Sequence, residues 1–138
     1  MSAEPAWVTA IRAWYSGYGP SAVDAIEPVL SPSFVWIPPG RDNPLQDVYR
    51  GADGMRRFLE AMGDWTDSVR PMVQDFLSDD RYLVAILEAT ARRARDGHEE
   101  RWEFMHRWRA EKDLIVEFRA FVDDQRRYDE FYAPANPG

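Results

Sequence analysis

Three consecutive segments in the second half of the chain alternate between apolar and polar residues. The first begins at Arg81, and the segments are separated by the dipeptide Asp96-Gly97 and by the polar turn 111–113. Alternation with a period of two is typical of a β-strand that buries one face, and Asp-Gly between two such strands is a strong hairpin signal. The pattern therefore predicts an antiparallel meander of three long strands.

The alternation also assigns the two faces of each strand. In the second strand, the even-numbered positions carry His106 and three aromatic residues, whereas the odd-numbered positions carry mostly arginine and glutamate. Because successive side chains of a strand point to opposite faces, the same argument applies to the other two strands. The residues predicted to face the interior are Leu83, Ala85, Leu87, Ala89, Ala91, Trp102, Phe104, His106, Trp108, Val116, Phe118, Ala120 and Val122.

The predicted interior combines large rings with very small side chains. Alanines at positions 85, 89, 91 and 120 stand among tryptophans and phenylalanines. Such a mixture arises either where helices approach the sheet closely or where a cavity remains, and the sequence leaves both readings open.

The opposite face of the meander mixes charged residues, suited to cross-strand ion pairs, with large apolar ones. A surface of this kind is too apolar to remain in water, so we expect a homodimer that forms through the outer sheet face. The apolar residues assigned to this face are Tyr82, Val84, Ile86, Met105, Ile115 and Phe121.

The first half of the chain predicts two helices and a strand. The first helix ends in the glycine- and proline-rich turn at 17–20. Its apolar residues at helical spacing are Trp7, Val8, Ile11, Trp14, Tyr15 and Tyr18. A second, short helix is expected over residues 21–29, followed by a strand over 33–37 that ends at two prolines. The polar loop over 40–51 then forms either a lid or a plain solvated turn.

Two further helices and an edge strand complete the predicted elements. Asp53 is a suitable N-cap for a third helix, and Pro71 confines any strand over residues 69–77 to an edge or to a strand start. The apolar face of the third helix comprises Met55, Phe58, Leu59, Met62 and Trp65, and a terminal helix carries Tyr128, Phe131 and Tyr132.

Length and composition limit the class of protein. The 138 residues fit one α+β domain, residues 1–138, and the absence of cysteine removes thiol catalysis and disulfides. A net charge of -7 argues against nucleic acid or an anionic membrane as partner. The start of the chain lacks the pattern of a secretory signal, and no apolar run approaches the roughly 20 residues of a membrane span, so the expected location is cytoplasmic.

Four segments of the chain resemble the SnoaL-like branch of the nuclear-transport-factor-like superfamily, which includes the ketosteroid isomerases. They are FVWIPP from Phe34, YRGADGMRRFL from Tyr49, HRW from His106 and FRAFVD from Phe118. The resemblance implies a cone-shaped, curved antiparallel sheet packed on N-terminal helices around an apolar cavity, often in a dimer. The superfamily includes polyketide cyclases, steroid isomerases, dehydratases and epoxide hydrolases, as well as proteins that only bind, so the fold leaves the chemistry open.

Most catalytic residues of the characterised members have no counterpart in this sequence. Ala89, Ala91 and Ala120 look like the counterparts of three catalytic residues, an arginine and two aspartates, in limonene-epoxide-hydrolase-like members. The positions that match the two aspartates of ketosteroid isomerases are Trp36 or Ile37, and Phe104. What the resemblance retains is His106, because SnoaL-like cyclases and scytalone-dehydratase-like members use a cavity histidine as acid or base.

His106 is therefore the candidate catalytic residue, since imidazole titrates near neutral pH. The other reading is a core histidine bonded to a backbone group or to a tyrosine. No carboxylate shares its face, although Asp24, Asp42 or Asp47 could reach it from a helix or loop. The residues predicted to contact a ligand, or else to form ordinary core, are Trp14, Tyr15, Trp36, Trp102, Phe104, Trp108 and Phe118.

No metal or cofactor is expected, because two histidines are too few for a typical histidine-based metal cage. The glycines at 17 and 19 fit a dinucleotide-binding pattern but follow a helix instead of a strand. The first functional hypothesis is a protein that binds a small hydrophobic, cyclic molecule, with isomerase, dehydratase or cyclase chemistry at His106. The alternative is a non-catalytic ligand-binding or dimerisation module.

Overall fold

The computed structural model describes residues 4–17 and 19–135, and within them the chain forms four α-helices and six strands. The predicted Tyr18 and the end of the chain after 135 lie outside the described residues. Short 3-10 turns at Pro20–Ala22 and Glu27–Val29 flank the second helix, so the segment predicted as one helix is three short pieces. The α-helices are α1 (Ala6–Ser16), α2 (Val23–Ile26), α3 (Gly51–Trp65) and α4 (Gln125–Phe131).

The strands form one curved six-stranded sheet in the order β2-β1-β6-β5-β4-β3. Only β1 and β6 run parallel, and every other neighbouring pair is antiparallel. The strand that carries Pro71 lies at the edge, as predicted, since proline cannot donate to an interior ladder. The strands are β1 (Leu30–Ile37), β2 (Tyr49–Arg50), β3 (Thr66–Ser78), β4 (Tyr82–Arg93), β5 (Glu99–Glu111) and β6 (Leu114–Val122).

The predicted faces of β4 and β5 are confirmed by burial. Along β5, Trp102, Phe104, His106 and Trp108 are buried, and along β4 every predicted interior residue is buried as well. Turns with positive φ close the second hairpin, at Lys112 and Asp113, as twisted antiparallel strands require. The meander therefore presents a continuous inner face to the helices.

The interior assignment fails at the start of β6. Arg109 pairs with Glu117 but Ala110 pairs with Ile115, so one extra residue, Val116, bulges out of the ladder. A bulge reverses the alternation of faces on one side of it. Ile115, which we assigned to the outer face, is consequently fully buried, and Val116 is only half-buried.

The helices cover the inner face of the sheet with their apolar sides. In α1 the buried residues are Trp7, Val8, Ile11 and Trp14. Helix α3 begins at Gly51, with Arg50 in the N-cap position, so Asp53 lies inside the first turn instead of capping the helix. Its side chain instead forms an ion pair with Arg56 at 3.1 Å.

None of the helices in the described part of the chain is long and apolar enough to cross a membrane.

Candidate functional site

A cavity lies between the inner face of the sheet and two helices. Helix α3 contributes Phe58 and Met62, while Tyr128 of α4 and the adjacent Tyr132 form its other side. The lining residues are Trp36, Pro39, Phe58, Met62, Val69, Pro71, Leu87, Ala89, Ala91, Trp102, Phe104, His106, Phe118, Ala120, Tyr128 and Tyr132.

The cavity is small. Its open volume is about 50 Å³, which leaves room for only a few waters. A ligand with rings must therefore displace side chains when it enters.

Three alanines keep this cavity open. Ala89 lies opposite Trp102, and Ala120 lies opposite His106, in the ladders on either side of β5. The third, Ala91, lines the cavity one pleat farther along β4. Of the two readings that the sequence left open, a cavity is the one that the structure contains.

The wall carries no charged side chain among the described residues. The lining residues whose side chains carry a polar atom are His106, Tyr128, Tyr132, Trp36 and Trp102. An uncompensated ionic group would lose its hydration on entering such a site, at a cost of several kcal/mol or more. The cavity is therefore suited to uncharged molecules.

A hydrogen bond to a residue of the first helix holds the His106 side chain in place. The hydroxyl oxygen of Tyr15 lies 2.7 Å from Nδ1 of His106, and the indole N–H of Trp108 donates to the same hydroxyl oxygen at 3.0 Å. The rings of Tyr15 and His106 are also stacked, with centroids 5.8 Å apart. Nε2, the other ring nitrogen, makes no hydrogen bond to any residue in the described ranges, and the imidazole borders the cavity.

Burial decides the charge of this imidazole. Removal from water disfavours the charged form, and burial lowers the pKa of His106 from 6.5 to about 3. The histidine is therefore neutral at physiological pH, with one N–H and one bare nitrogen.

The predicted ligand contacts fall into two groups. Trp36, Trp102, Phe104 and Phe118 line the cavity, and Trp36 stacks on Phe118 with centroids 3.7 Å apart. The second group consists of Trp14, Tyr15 and Trp108. These residues are not part of the cavity lining, but they pack against Trp36 and His106, which are.

The carboxylates considered as partners for His106 lie elsewhere. Asp24 forms an ion pair with Arg56 on the surface, and the carboxylate of Asp47 accepts a hydrogen bond from the next backbone N–H in the loop. Asp42 is exposed in the same loop. The partner of His106 is instead the phenol of Tyr15, which corresponds to the tyrosine-bonded alternative.

The predicted polar loop is fastened to the terminal helix. The carboxylate of Asp129 in α4 accepts hydrogen bonds from the backbone N–H of Arg41 at 3.0 Å and from the side-chain amide of Asn43 at 2.7 Å. Gly40 has a φ of +94°, and a Cβ there would lie 2.5 Å from Asp129 and Asn43. Only glycine fits this turn without strain. The loop thereby fixes Tyr128, one residue before Asp129, against the cavity.

Several lining residues were absent from the predicted site. Phe58, Met62, Tyr128 and Tyr132 were predicted as helix faces without a role in binding. Their helical spacing showed that they were buried, but only tertiary packing shows that they face the same cavity.

Three comparisons place the chain among known proteins. A sequence model of the SnoaL-like domain matches residues 11–118. No curated protein matches the chain. Among solved structures, an NTF2-like protein of unknown function from Burkholderia pseudomallei is 18% identical, covering 97% of this chain and 100% of its own, with a TM-score of 0.80.

Two further solved structures share the fold. TerC, co-crystallised with polyporic acid, is 18% identical over 91% of this chain and 97% of its own, with a TM-score of 0.77. A Jannaschia protein named for the SnoaL-like polyketide cyclases is 14% identical over 98% of this chain and 99% of its own, with a TM-score of 0.75. Such low identities establish the fold and nothing finer. The chain shares its fold with an NTF2-like protein. Since the sequence model spans most of the chain, the chain belongs to the SnoaL-like domain family.

Proposed function

We propose that this protein binds a small, uncharged, cyclic molecule in the cavity between the sheet and helices α3 and α4, with His106 in contact with it. The observation that carries the proposal is the combination of a neutral aromatic wall with a histidine whose Nδ1 is occupied by Tyr15 and whose Nε2 is available to a ligand. Ligand sites of this kind bury most of the molecule in apolar contacts and orient it with few polar groups.

The aromatic lining of the cavity favours a flat ligand. Trp36, Trp102, Phe104 and Phe118 supply rings, and flat molecules stack favourably on such surfaces. Met62 is flexible enough to yield space in a cavity this small. The names of two structural neighbours agree with a cyclic ligand, since one is named for polyketide cyclases and the other was crystallised with polyporic acid.

Acid/base chemistry at His106 is the second candidate function. It is favoured by the 2.7 Å contact between Tyr15 and His106, which provides a second proton-bearing group behind the imidazole. Against it, an imidazole with a pKa of about 3 is a weak base at neutral pH. Binding is therefore the primary proposal, and proton transfer requires a ligand that raises the pKa of His106. Replacing His106 by Gln should then abolish turnover but not binding.

A fluorescent probe tests the binding proposal. N-phenyl-1-naphthylamine is uncharged, and its emission rises in apolar surroundings. We expect saturable binding of one probe per chain. Ala120→Phe, which fills the cavity opposite His106, should weaken binding at least tenfold, while Thr90→Phe on the outer face of β4 should leave it unchanged.

Two results would contradict the proposal. One is the absence of saturable binding together with the absence of any co-purified small molecule in native mass spectrometry. The other is equal binding by wild-type protein and Ala120→Phe, and either would favour a module that acts only through contacts with other chains.

A further inference from the structure

The outer face of the sheet, opposite the cavity, carries a row of apolar side chains. Ile86, Met105 and Phe121 are paired in register across β4, β5 and β6, and the last two are exposed. We call these three residues the apolar row. Exposed apolar side chains that lie together mark a surface that contacts another molecule.

Like charges stand opposite each other on both sides of the apolar row. On one side, Arg107 of β5 is paired with Arg119 of β6. On the other side, Glu103 of β5 is paired with Glu88 of β4, and the backbone N–H of Asp123 donates to the carbonyl oxygen of Glu103. Opposed like charges destabilise a sheet. The face is thus divided into a cationic side, Arg107 and Arg119, and an acidic side, Glu88, Glu103 and Asp123.

The cationic side is only partly neutralised within the chain. Arg107 forms an ion pair with Glu117 at 3.0 Å. Arg119 forms no ion pair with any described residue, and Nε of its guanidinium is buried without a hydrogen-bond partner there. Because a buried guanidinium N–H without an acceptor is unfavourable, Arg119 lacks a carboxylate that its own chain does not supply.

The acidic side provides carboxylates of this kind. Glu88 pairs with Arg101, whereas Glu103 and Asp123 form no ion pair within the described ranges. Both border a groove that the apolar row also lines, with an open volume of about 300 Å³. Such a groove suits an arginine, because the stem packs on apolar surface while the guanidinium binds carboxylate.

We propose that a second copy of this chain covers the outer face, related to the first by a two-fold axis that lies between the two sheets and runs along the apolar row. Such an axis reverses the direction of every strand, so the cationic side of each copy lies over the acidic side of the other. Along β6 the order of residues is reversed about Phe121. Arg119 then faces Asp123 of the partner subunit, Asp123 faces the partner's Arg119, and the two apolar rows pack against each other.

The charges oppose a two-fold axis that runs along the strands instead. That axis would keep the direction of each strand, so cationic side would lie over cationic side and acidic side over acidic side. Like charges brought together across an interface oppose association. The apolar row alone is compatible with either axis, and the order of the charges selects between them.

Reversing one charge on either side tests this arrangement. Asp123→Arg places a cation opposite the partner's Arg119, and Arg119→Glu places an anion opposite the partner's Asp123. We expect each variant to self-associate at least about tenfold more weakly than the wild type in analytical ultracentrifugation. Glu60→Arg on α3 and Arg126→Glu on α4 change the net charge equally at exposed positions away from this face, and should associate like the wild type.

A mixture of the two weakened variants gives the sharpest result. In a dimer of one Asp123→Arg chain and one Arg119→Glu chain, one of the two contacts keeps the wild-type pair of Arg119 and Asp123. The other contact has the same two charges exchanged, so both contacts are attractive. Equal amounts of the variants should therefore form a heterodimer with about the wild-type affinity, and native mass spectrometry separates it by mass from both homodimers.

Three results would overturn the inference. Unchanged or tighter association of both folded variants would favour the axis along the strands or a contact elsewhere. A mixture that associates no more tightly than either variant alone would show that the two side chains do not meet. A wild type that stays monomeric at micromolar concentration would remove the partner altogether, while the proposed binding function would stand.

Discussion

The hydroxyl of Tyr15 in α1 lies 2.7 Å from Nδ1 of His106 at the centre of β5, and this contact joins positions that are 91 residues apart. It fixes the imidazole by a hydrogen bond on one side, while the other side of the ring borders the cavity. The position of the most reactive group in the cavity therefore depends on how the first helix packs.

Removing the Tyr15 hydroxyl should loosen this arrangement. In Tyr15→Phe the stacked ring remains but Nδ1 of His106 loses its partner, so we expect the free energy of unfolding to fall by about 1 kcal/mol, measured by urea denaturation. Because the indole N–H of Trp108 donates to the hydroxyl oxygen of Tyr15, we expect that hydroxyl to donate to Nδ1 of His106, which leaves the imidazole proton on Nε2. The ¹⁵N spectrum of the His106 side chain should then change from this Nε2–H form in wild-type protein to a mixture of tautomers in Tyr15→Phe.

The matched control is Tyr82→Phe on the outer face, which should change stability by no more than about 0.5 kcal/mol. A proton on Nδ1 of His106 in wild-type protein would show that the hydrogen bond runs in the opposite direction.

Acid should weaken the fold through His106. Its pKa is 6.5 in the unfolded chain and about 3 when buried, so below pH 6.5 the unfolded state takes up a proton that the folded state does not. The contribution of His106 to the free energy of unfolding is therefore fully present above pH 6.5. It is lost as the pH falls towards 3, by up to about 1.4 kcal/mol per pH unit.

The comparison that isolates this effect is His106→Gln, which stays neutral and can still bond to Tyr15. Its stability should depend less steeply on pH between 6.5 and 3 than that of the wild type, as measured by denaturation at a series of pH values. Equal slopes in the two proteins would mean that His106 takes up its proton as readily in the folded state as in the unfolded chain.

The sheet was predictable because its pattern is local. Alternation along β4 and β5 assigned the inner face, and Pro71 placed β3 at the edge. Ile115 is the exception, because a bulge at the start of β6 reverses its face. The bulge depends on how β6 pairs with β5, so the sequence of β6 alone does not predict it.

The site was predictable only in part, for the same reason. His106 and the rings beside it were assigned from strand parity, but its bond to Tyr15 and the contributions of α3 and α4 to the cavity require the packing of distant segments. Trp14 and Trp108 were grouped with the ligand contacts because parity and helical spacing identify buried residues, not the ones that border empty space.

The contact between Asp129 and the loop at Arg41 should stabilise the cavity wall. Asp129→Ala removes the acceptor for the Arg41 amide and for Asn43, so we expect a loss of about 1 kcal/mol and faster hydrogen exchange at the amides of Arg41 and Leu45. Glu130→Ala removes only an exposed pair with Arg126 and should cost less than about 0.5 kcal/mol. Unchanged exchange in Asp129→Ala would show that the loop holds its position without this contact.

We further predict that the outer sheet face forms a homodimer. Met72, Met105 and Phe121 are 62%, 48% and 42% exposed, and Met105 pairs with Phe121 across β5 and β6. Light scattering at micromolar concentration should report a dimer in wild-type protein and a monomer in Phe121→Glu, with Val48→Glu, exposed in the loop before β2, as the control. A monomeric wild type would contradict the prediction.

A crystal structure of the protein with N-phenyl-1-naphthylamine tests the binding site most directly. The account predicts electron density for this molecule between Trp36 and Ala120, in contact with His106. Density for the ligand only outside the cavity, or a cavity closed by side chains at saturating ligand, would contradict it.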